Sequence, residues 1–196
     1  LNFLTQWGEV GYVPTDPQAA PGRFYGPRAI ATDAAGNVYV ADTGNKRVQK
    51  FSPDGSFLTA YGGEGGGPGQ FREPVGLALD GQGNILVADT WNRRIQRFDP
   101  AFKYLGEMAV SGWRSEGVTN KPYPAVSPDG SVVVTDPEGH RLLRFDPQGQ
   151  LRDILGRSGA APGQLNLPIG IAFDAQGRLW VADSGNHRIQ RLEPSR

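Results

Sequence analysis

Val40-Ala41-Asp42-Thr43-Gly44-Asn45 returns twice along the chain, as Val87-Ala88-Asp89-Thr90-Trp91-Asn92 and as Val181-Ala182-Asp183-Ser184-Gly185-Asn186. An interval of 47 residues separates the four aspartates Asp42, Asp89, Asp136 and Asp183. The same interval separates four arginines, Arg47, Arg94, Arg141 and Arg188, and four glycines, Gly36, Gly83, Gly130 and Gly177. Four units with matching apolar, charged and turn positions define an internal repeat.

Each unit predicts four short strands. In the first unit they lie over 27–31, 37–41, 47–51 and 56–61, with turns rich in Gly, Pro, Asn and Asp between them. The second strand is apolar at nearly every position, so it requires cover on both faces. Four-stranded sheets stacked in this way form a β-propeller. The sequence therefore predicts an all-β fold: a β-propeller of four 47-residue blades, each a four-stranded antiparallel sheet.

The whole chain is predicted to be one domain, with blades over approximately 24–62, 71–109, 121–156 and 165–196, the last completed by 1–8. Residues 1–8 match 56–62, so we expect the N-terminal strand to close the last blade as its outer strand. Such a latch removes the open edges of a ring. Because the chain starts in mid-pattern with Leu1, we expect it to be part of a longer protein. Nothing in it indicates a compartment.

The composition favours a folded chain with many turns. Among 196 residues there are 28 Gly and 16 Pro, and 38% are hydrophobic. Basic and acidic residues both number 20, so the net charge is zero and whole-domain attraction to nucleic acid is not expected. The absence of Cys excludes disulfides and thiolate sites. Apolar runs reach only four residues, as in 85–88, so no membrane insertion is predicted.

The second unit carries a resemblance to a known family. Pro74-Val75-Gly76-Leu77-Ala78-Leu79-Asp80, Gly83-Asn84-Ile85-Leu86-Val87-Ala88-Asp89-Thr90 and Asn92-Arg93-Arg94-Ile95-Gln96-Arg97-Phe98 closely resemble the NHL repeat. The first and fourth units are near-consensus copies. The third departs most, with Asp136-Pro137-Glu138-Gly139-His140 in the loop and Ser127 where the others have Asp. The family usually forms six-bladed rings, so the resemblance leaves open a whole propeller, a segment of one, or half of a dimeric ring.

The repeated Asp and Arg residues are expected to have a structural role, because they recur in every blade. We expect the aspartates to accept backbone hydrogen bonds in the turn that follows each of them, and the arginines five positions later to pair with carboxylates or carbonyls within or between blades. Four identical sites around a ring would be an unusual arrangement for catalysis.

The two histidines are weak candidates for metal ligands. His140 and His187 share one repeat position, which Lys46 and Arg93 hold in the other units, and we favour a basic, solvent-facing role for them. Propellers of the amidating-lyase and gluconolactonase types resemble this repeat, but their metal ligands line the central channel, where this sequence offers no usable set. We therefore predict no catalytic residue and no cofactor. A metal-assisted lyase or lactonase-like hydrolase, with its site in the propeller centre, is the alternative function.

The irregular loops define the predicted binding surface. Loops after the second and fourth strands leave the sheets on one face, and Trp91 stands there where other units have Gly44, Glu138 and Gly185. Trp, Tyr and Arg are typical of contact surfaces. The predicted surface comprises Trp91, Trp113, Arg114, Tyr25, Arg28, Tyr123 and Arg93. The equally weighted alternative is that Trp113 and Tyr12 fold back over a blade edge.

The sequence thus predicts a non-enzymatic binding or scaffold module for a protein or a small polar ligand. Single-stranded RNA is the third candidate, with charge from Lys46, Arg93, Arg94, Arg114, Lys121 and the two histidines, and with stacking on Trp91, Tyr25 and Trp113. The zero net charge, and the acidic residues Glu64, Glu73, Glu116 and Glu138 on the same face, disfavour nucleic acid.

Overall fold

Short strands and tight turns build four antiparallel sheets, as the repeat predicts. The computed structural model describes residues 2–13, 15–110, 112–113 and 121–193. A short parallel pair, β1 (Glu9–Val10) and β2 (Arg23–Phe24), precedes the sheets. The first blade comprises β3 (Ala29–Thr32), β4 (Val38–Asp42), β5 (Arg47–Phe51) and β6 (Phe57–Gly62). The second comprises β7 (Pro74–Leu79), β8 (Ile85–Asp89), β9 (Arg94–Phe98) and β10 (Tyr104–Ala109).

The other two blades repeat this order. The third comprises β11 (Pro124–Val126), β12 (Val132–Asp136), β13 (Arg141–Phe145) and β14 (Leu151–Leu155). The fourth has three strands among the described residues: β15 (Pro168–Phe173), β16 (Leu179–Asp183) and β17 (Arg188–Leu192). The predicted fold class, an all-β propeller of four blades, is confirmed. Helix is limited to single 3₁₀ turns among the described residues, and none has the length or apolarity to cross a membrane.

The turn after each second strand follows one plan. In three blades it is a 3₁₀ turn, at Thr43–Asn45, Thr90–Asn92 and Ser184–Asn186. The residue that follows has a positive φ in all four blades: Lys46, Arg93, His140 and His187, with φ of 53–54°. This left-handed residue reverses the chain into the third strand. Its side chain is half-buried or exposed in every blade, so the position accepts polar and basic residues.

Blades stack by burying both faces of each second strand. Tyr39 and Ala41 of the first blade pack against Ile85 and Val87 of the second, in one buried cluster. The opposite face of β8 presents Leu86 to the third blade, and the third blade packs on the fourth in the same register. This explains the apolar second strands, since each residue of such a strand faces one neighbouring blade.

The N-terminal segment lies elsewhere than predicted. Residues 2–8 form no strand, and the first and last sheets are not in extensive contact among the described residues. Trp7 instead packs against Phe51 of the first blade, with ring centroids 6.0 Å apart. Among the described residues, no strand pairing joins this segment to the last blade. The contact of Trp7 with Phe51 and the hydrogen bond from the Gly11 N–H to the Phe24 carbonyl hold this segment against the first blade instead.

Candidate binding surface around Trp91

A buried polar network, repeated from blade to blade, holds the turns that carry the surface. In the first blade, Asp42 Oδ1 accepts from the Tyr25 backbone N–H at 2.8 Å, and Oδ2 accepts from Arg47 Nε at 2.8 Å. Asn45 and Gln49 donate to the same Oδ2. The Arg47 guanidinium also donates to four backbone carbonyls, those of Pro17, Ala19, Ala20 and Arg23. The predicted pairing of the arginine with a carboxylate and with carbonyls is confirmed, whereas the backbone donor to the aspartate lies 17 residues earlier and not in the turn that follows.

The third blade keeps only part of this network. Arg141 Nε donates to Asp136 Oδ2 at 2.7 Å, but Gly139 and Leu143 replace the Asn and Gln of the other blades. Gly139 is required there because an added Cβ would lie 2.3 Å from Asp136 Oδ2. Without the Asn and Gln side chains, Asp136 lacks two of the amide donors that the equivalent Asp42 has, but its bond with Arg141 remains.

The network also controls the ionisation of its aspartate in the fourth blade. Burial alone would raise the pKa of Asp183. The hydrogen bonds from the Asn166 N–H and from the side chains of Asn186, Arg188 and Gln190 outweigh burial and lower that pKa below its ordinary value. Asp183 is therefore a charged structural acceptor and is poorly suited to proton transfer near neutral pH.

Trp91 projects from the 3₁₀ turn of the second blade and is 43% exposed. Its counterparts Gly44 and Gly185 must be glycine, because an added Cβ would lie 2.3 Å from the Tyr25 ring and 2.6 Å from the Asn166 side chain, respectively. In the second blade Arg72 occupies the position of Tyr25 and Asn166. At this repeat position the first and fourth blades have a glycine beneath a covering side chain and the third has Glu138, whereas the second presents an aromatic side chain.

Two lysines from the flanking blades lie beside the Trp91 ring. Lys46 Nζ, from the first blade, is 5.6 Å from the ring centroid, and Lys121 Nζ, at the entrance to the third, is 5.9 Å away. Both distances fall within the range of cation–π attraction. The charge of Lys121 is balanced by Glu73 Oε1 at 2.9 Å, with both side chains buried. The half-buried Lys46 and the exposed Arg93 supply the remaining positive charge near the ring.

The other predicted contact residues have different positions. Tyr25 is exposed and packs edge-on against Tyr12, with centroids 5.6 Å apart. Arg28 is exposed at the start of β3, where it lines an apolar groove with Trp7. Tyr123 is half-buried at the entrance to the third blade, where its backbone N–H donates to Thr135 Oγ1 at 2.8 Å.

Trp113 is a core residue, which corrects its assignment to the binding surface. It is 3% exposed and packs in the cluster between the second and third blades, and its Nε1 donates to the Thr135 carbonyl at 3.1 Å. A large indole at a loop end is more stable in an apolar cleft that also satisfies its N–H. Trp113 thus folds back as the alternative expected, whereas Tyr12, named with it, is 63% exposed. Arg114 lies outside the described residues.

The basic residues of this face are not all free. Arg94 is buried and pairs with Asp89 and Glu107, so it is not part of the exposed face. His140 Nδ1 accepts from the Leu167 N–H at 3.2 Å, whereas His187 is exposed. Within the described residues, no group of three or more His, Cys, Asp or Glu is placed to hold a metal ion.

Four stacked antiparallel sheets with this repeated network define a β-propeller, and family comparison names its repeat. The NHL repeat model matches residues 24–51, 71–98 and 165–192, the first, second and fourth blades. Three of the four blades thus match the NHL repeat, as the resemblance implied. The third blade, which lacks the Asn and Gln of the network, lies outside the matched residues.

A curated relative carries the same repeat. NHL repeat-containing protein 3 of Homo sapiens is 40% identical over 63 residues, which are 31% of this chain and 16% of that protein.

Solved structures similar to this chain are also propellers. The streptogramin B lyase structure aligns with a TM-score of 0.64 at 18% identity, over 86% of this chain and 51% of that one. A chain of the nidogen/laminin complex aligns with a TM-score of 0.64 at 24% identity, over 86% and 60%. A putative gluconolactonase aligns with a TM-score of 0.61 at 21% identity, over 97% and 66%. The chain thus spans half to two thirds of these structures, and at these identities the likeness establishes the fold alone.

Proposed function

We propose that this chain is a non-enzymatic binding module that contacts a protein through the loop surface centred on Trp91. The exposed indole with two ammonium groups within 6 Å of its ring centroid is the observation that supports the proposal. A rigid aromatic side chain offers a large contact area at low entropic cost, and Trp is enriched among residues that dominate binding energy.

The charges around Trp91 indicate the chemistry of the partner. Lys46 and Arg93 are available for pairing, whereas Lys121 is already neutralised by Glu73. A partner that presents a carboxylate beside an apolar side chain would pair with these cations and pack on the Trp91 ring. An acidic peptide segment fits this description better than a nucleic acid strand, because two of the basic residues proposed for RNA, Arg94 and Lys121, are buried in ion pairs.

The lyase and gluconolactonase propellers support the fold and not an activity for this chain, because their identity to it is below 25%. This surface takes residues from three blades. Its described residues offer an aromatic platform and positive charge, without a nucleophile or paired carboxylates aimed at one point, which favours binding over catalysis.

A displayed library of linear peptides, selected on the immobilised chain, tests this function. The same library is selected in parallel on Trp91→Ala and on Trp180→Ala. Trp180 is a matched control because it is 39% exposed and also carries a cation near its ring, Arg191 at 6.0 Å. We expect acidic peptides that bind wild type and Trp180→Ala but lose binding to Trp91→Ala. Peptides that bind all three chains equally would contradict the proposal.

A further inference from the structure

Three departures from the repeat lie together in the structure. Trp91 stands where the first and fourth units have glycine. Glu73 stands where those two units have glycine and leucine, and Lys121 stands where the other three units all have proline. These positions are separate in the sequence, but the fold brings all three side chains to the junction of the second and third blades. The departures therefore form one spatial cluster.

The three side chains make one series of contacts. The Glu73 carboxylate pairs with the Lys121 ammonium, with Oε1 and Nζ 2.9 Å apart and both side chains buried. The same ammonium lies 5.9 Å from the Trp91 ring centroid. The Glu73 main-chain carbonyl accepts from the Thr90 N–H at 3.0 Å, so it also holds the turn from which the indole projects. A buried ammonium attracts an aromatic ring more strongly than an exposed one, because less water solvates it.

This cluster leaves two buried polar atoms without hydrogen-bond partners. In the first blade, Thr43 Oγ1 donates to the Pro74 carbonyl at 2.6 Å. Thr90 and Lys121 hold the equivalent positions one blade later, but Thr90 Oγ1 has no partner among the described residues. Glu73 Oε2 is likewise buried and unpartnered in the described part of the chain. Such atoms cost stability, and departures from a repeat at that cost are typical of functional sites.

We propose that Glu73 and Lys121 are positioning residues: their buried ion pair holds the Trp91 indole in one outward orientation before the partner binds. This inference rests on the proposed function, since it assigns the two residues a part in the same surface. A side chain that is already ordered loses less conformational entropy on binding, so the ion pair strengthens the contact. Lys121 acts through the indole, consistent with its own exposure of only 3%.

Two double variants remove the ion pair without leaving a buried charge. Glu73→Leu with Lys121→Pro gives both positions the leucine and proline of the fourth unit. Glu73→Gln with Lys121→Met keeps side chains of similar size and removes both charges. Replacing a buried ion pair as a whole by uncharged residues is often neutral or stabilising, so both variants should fold. Glu107→Gln is the control, because this carboxylate of the same blade pairs with Arg94 and not with Lys121.

Fluorine NMR of the chain labelled with fluorotryptophan measures the orientation of the indole without a partner. The chain contains four Trp, and Trp91→Phe identifies the Trp91 resonance by its loss. We expect one narrow Trp91 resonance in wild type and in the control, and a resonance that is split or broadened by exchange in both double variants. A narrow resonance at the wild-type shift in either double variant, or the failure of both to fold, would overturn the proposal.

The affinity of a selected acidic peptide, measured by calorimetry, tests whether this orientation contributes to binding. We expect both double variants to bind about 2- to 12-fold more weakly than wild type, the cost of ordering one side chain, and the control to bind like wild type. An unchanged affinity in a variant with a broadened resonance would overturn the proposal. If no acidic peptide binds wild type, the proposed function fails, and the fluorine resonances alone decide whether the ion pair orients the indole.

Discussion

Arg47 Nε donates to Asp42 Oδ2 over 2.8 Å, and neither side chain is accessible to water. In the fourth blade the equivalent bond, from Arg188 to Asp183, has almost the same length at 2.7 Å, but the arginine side chain is 29% exposed. The repeat thus contains the same ion pair in two environments, inaccessible to water in the first blade and partly exposed in the fourth. This difference makes the contribution of the pair measurable within a single chain.

Arg47→Leu should destabilise the chain by about 3–5 kcal/mol, because it leaves the buried Asp42 carboxylate and several carbonyls without their donor. Arg188→Leu should cost less, since water reaches that site and replaces part of the lost interaction. Urea unfolding of both variants measures the difference. Equal losses would contradict the idea that burial sets the cost.

Asp80 should make folding stability sensitive to acid. Burial would raise its pKa, but hydrogen bonds from Asn84 and Gln82 and the Arg97 guanidinium outweigh burial and lower it. A lowered pKa in the folded state means that the stabilisation is complete above the ordinary Asp value, about 3.9, and is lost as the pH falls through the folded value. We expect the free energy of unfolding to decrease below about pH 4.

Asp80→Ser isolates this contribution, because Ser127 holds the same position in the third blade with the same turn hydrogen bonds. The variant should lose on the order of 1 kcal/mol at pH 7 and lose less stability than wild type on acidification. Urea unfolding of wild type and Asp80→Ser, at pH 7 and below about pH 4, gives the comparison. An unchanged acid dependence would show that Asp80 does not contribute.

The two tryptophans of the predicted surface should respond in opposite ways to truncation. Trp113→Ala should cost about 3–5 kcal/mol, because it empties part of the core between two blades. Trp91→Ala should change stability by no more than about 0.5 kcal/mol, since that ring is on the surface. Thermal unfolding of both variants tests this, and a destabilised Trp91→Ala would indicate a structural role for that ring.

Gly44 should be intolerant of even a methyl group. An added Cβ would lie 2.3 Å from Tyr25 Cδ1 and 2.4 Å from the Tyr25 carbonyl oxygen, so Gly44→Ala should cost about 1–3 kcal/mol. Gly66→Ala is the control, because its nearest neighbour would be 3.7 Å away. Chemical denaturation of the two variants should separate them clearly, and equal stability would contradict the packing of Tyr25 on this turn.

Divalent metal should be substoichiometric in chain purified without chelator. This expectation follows from the absence of a clustered set of ligands among the described residues and from the use of His140 Nδ1 as a hydrogen-bond acceptor. Elemental analysis of the protein measures it. One tightly held metal per chain, removed by chelator, would instead favour the metal-assisted enzyme.

The sequence predicted the features that every blade repeats. A spacing of 47 residues located the strands, the turns and the Asp–Arg pairs, because each blade meets the same packing requirement and the same buried carboxylate. The sequence also indicates that the loop after Asp136 departs from the repeat. The structure shows that this loop lacks the Asn and Gln donors of the other blades.

The sequence predicted less well the features that occur once. Trp113 was placed on the surface because a loop sequence does not indicate which way a single aromatic side chain turns. The sequence suggests Lys46 and Lys121 only as contacts for nucleic acid. Only the structure shows that their ammonium groups lie beside the Trp91 ring and that Lys121 pairs with Glu73. The predicted pairing of residues 1–8 with the last blade depends on how far each blade is rotated from the next. No repeat spacing specifies that rotation.

The dissociation constant of a selected acidic peptide, measured by calorimetry on wild type, Trp91→Ala and Trp180→Ala, tests the central claim most directly. If Trp91 anchors the binding surface, its removal should weaken binding by about 30-fold, the equivalent of about 2 kcal/mol for an interface hot spot, while Trp180→Ala binds like wild type. Equal affinity of wild type and Trp91→Ala would contradict the account.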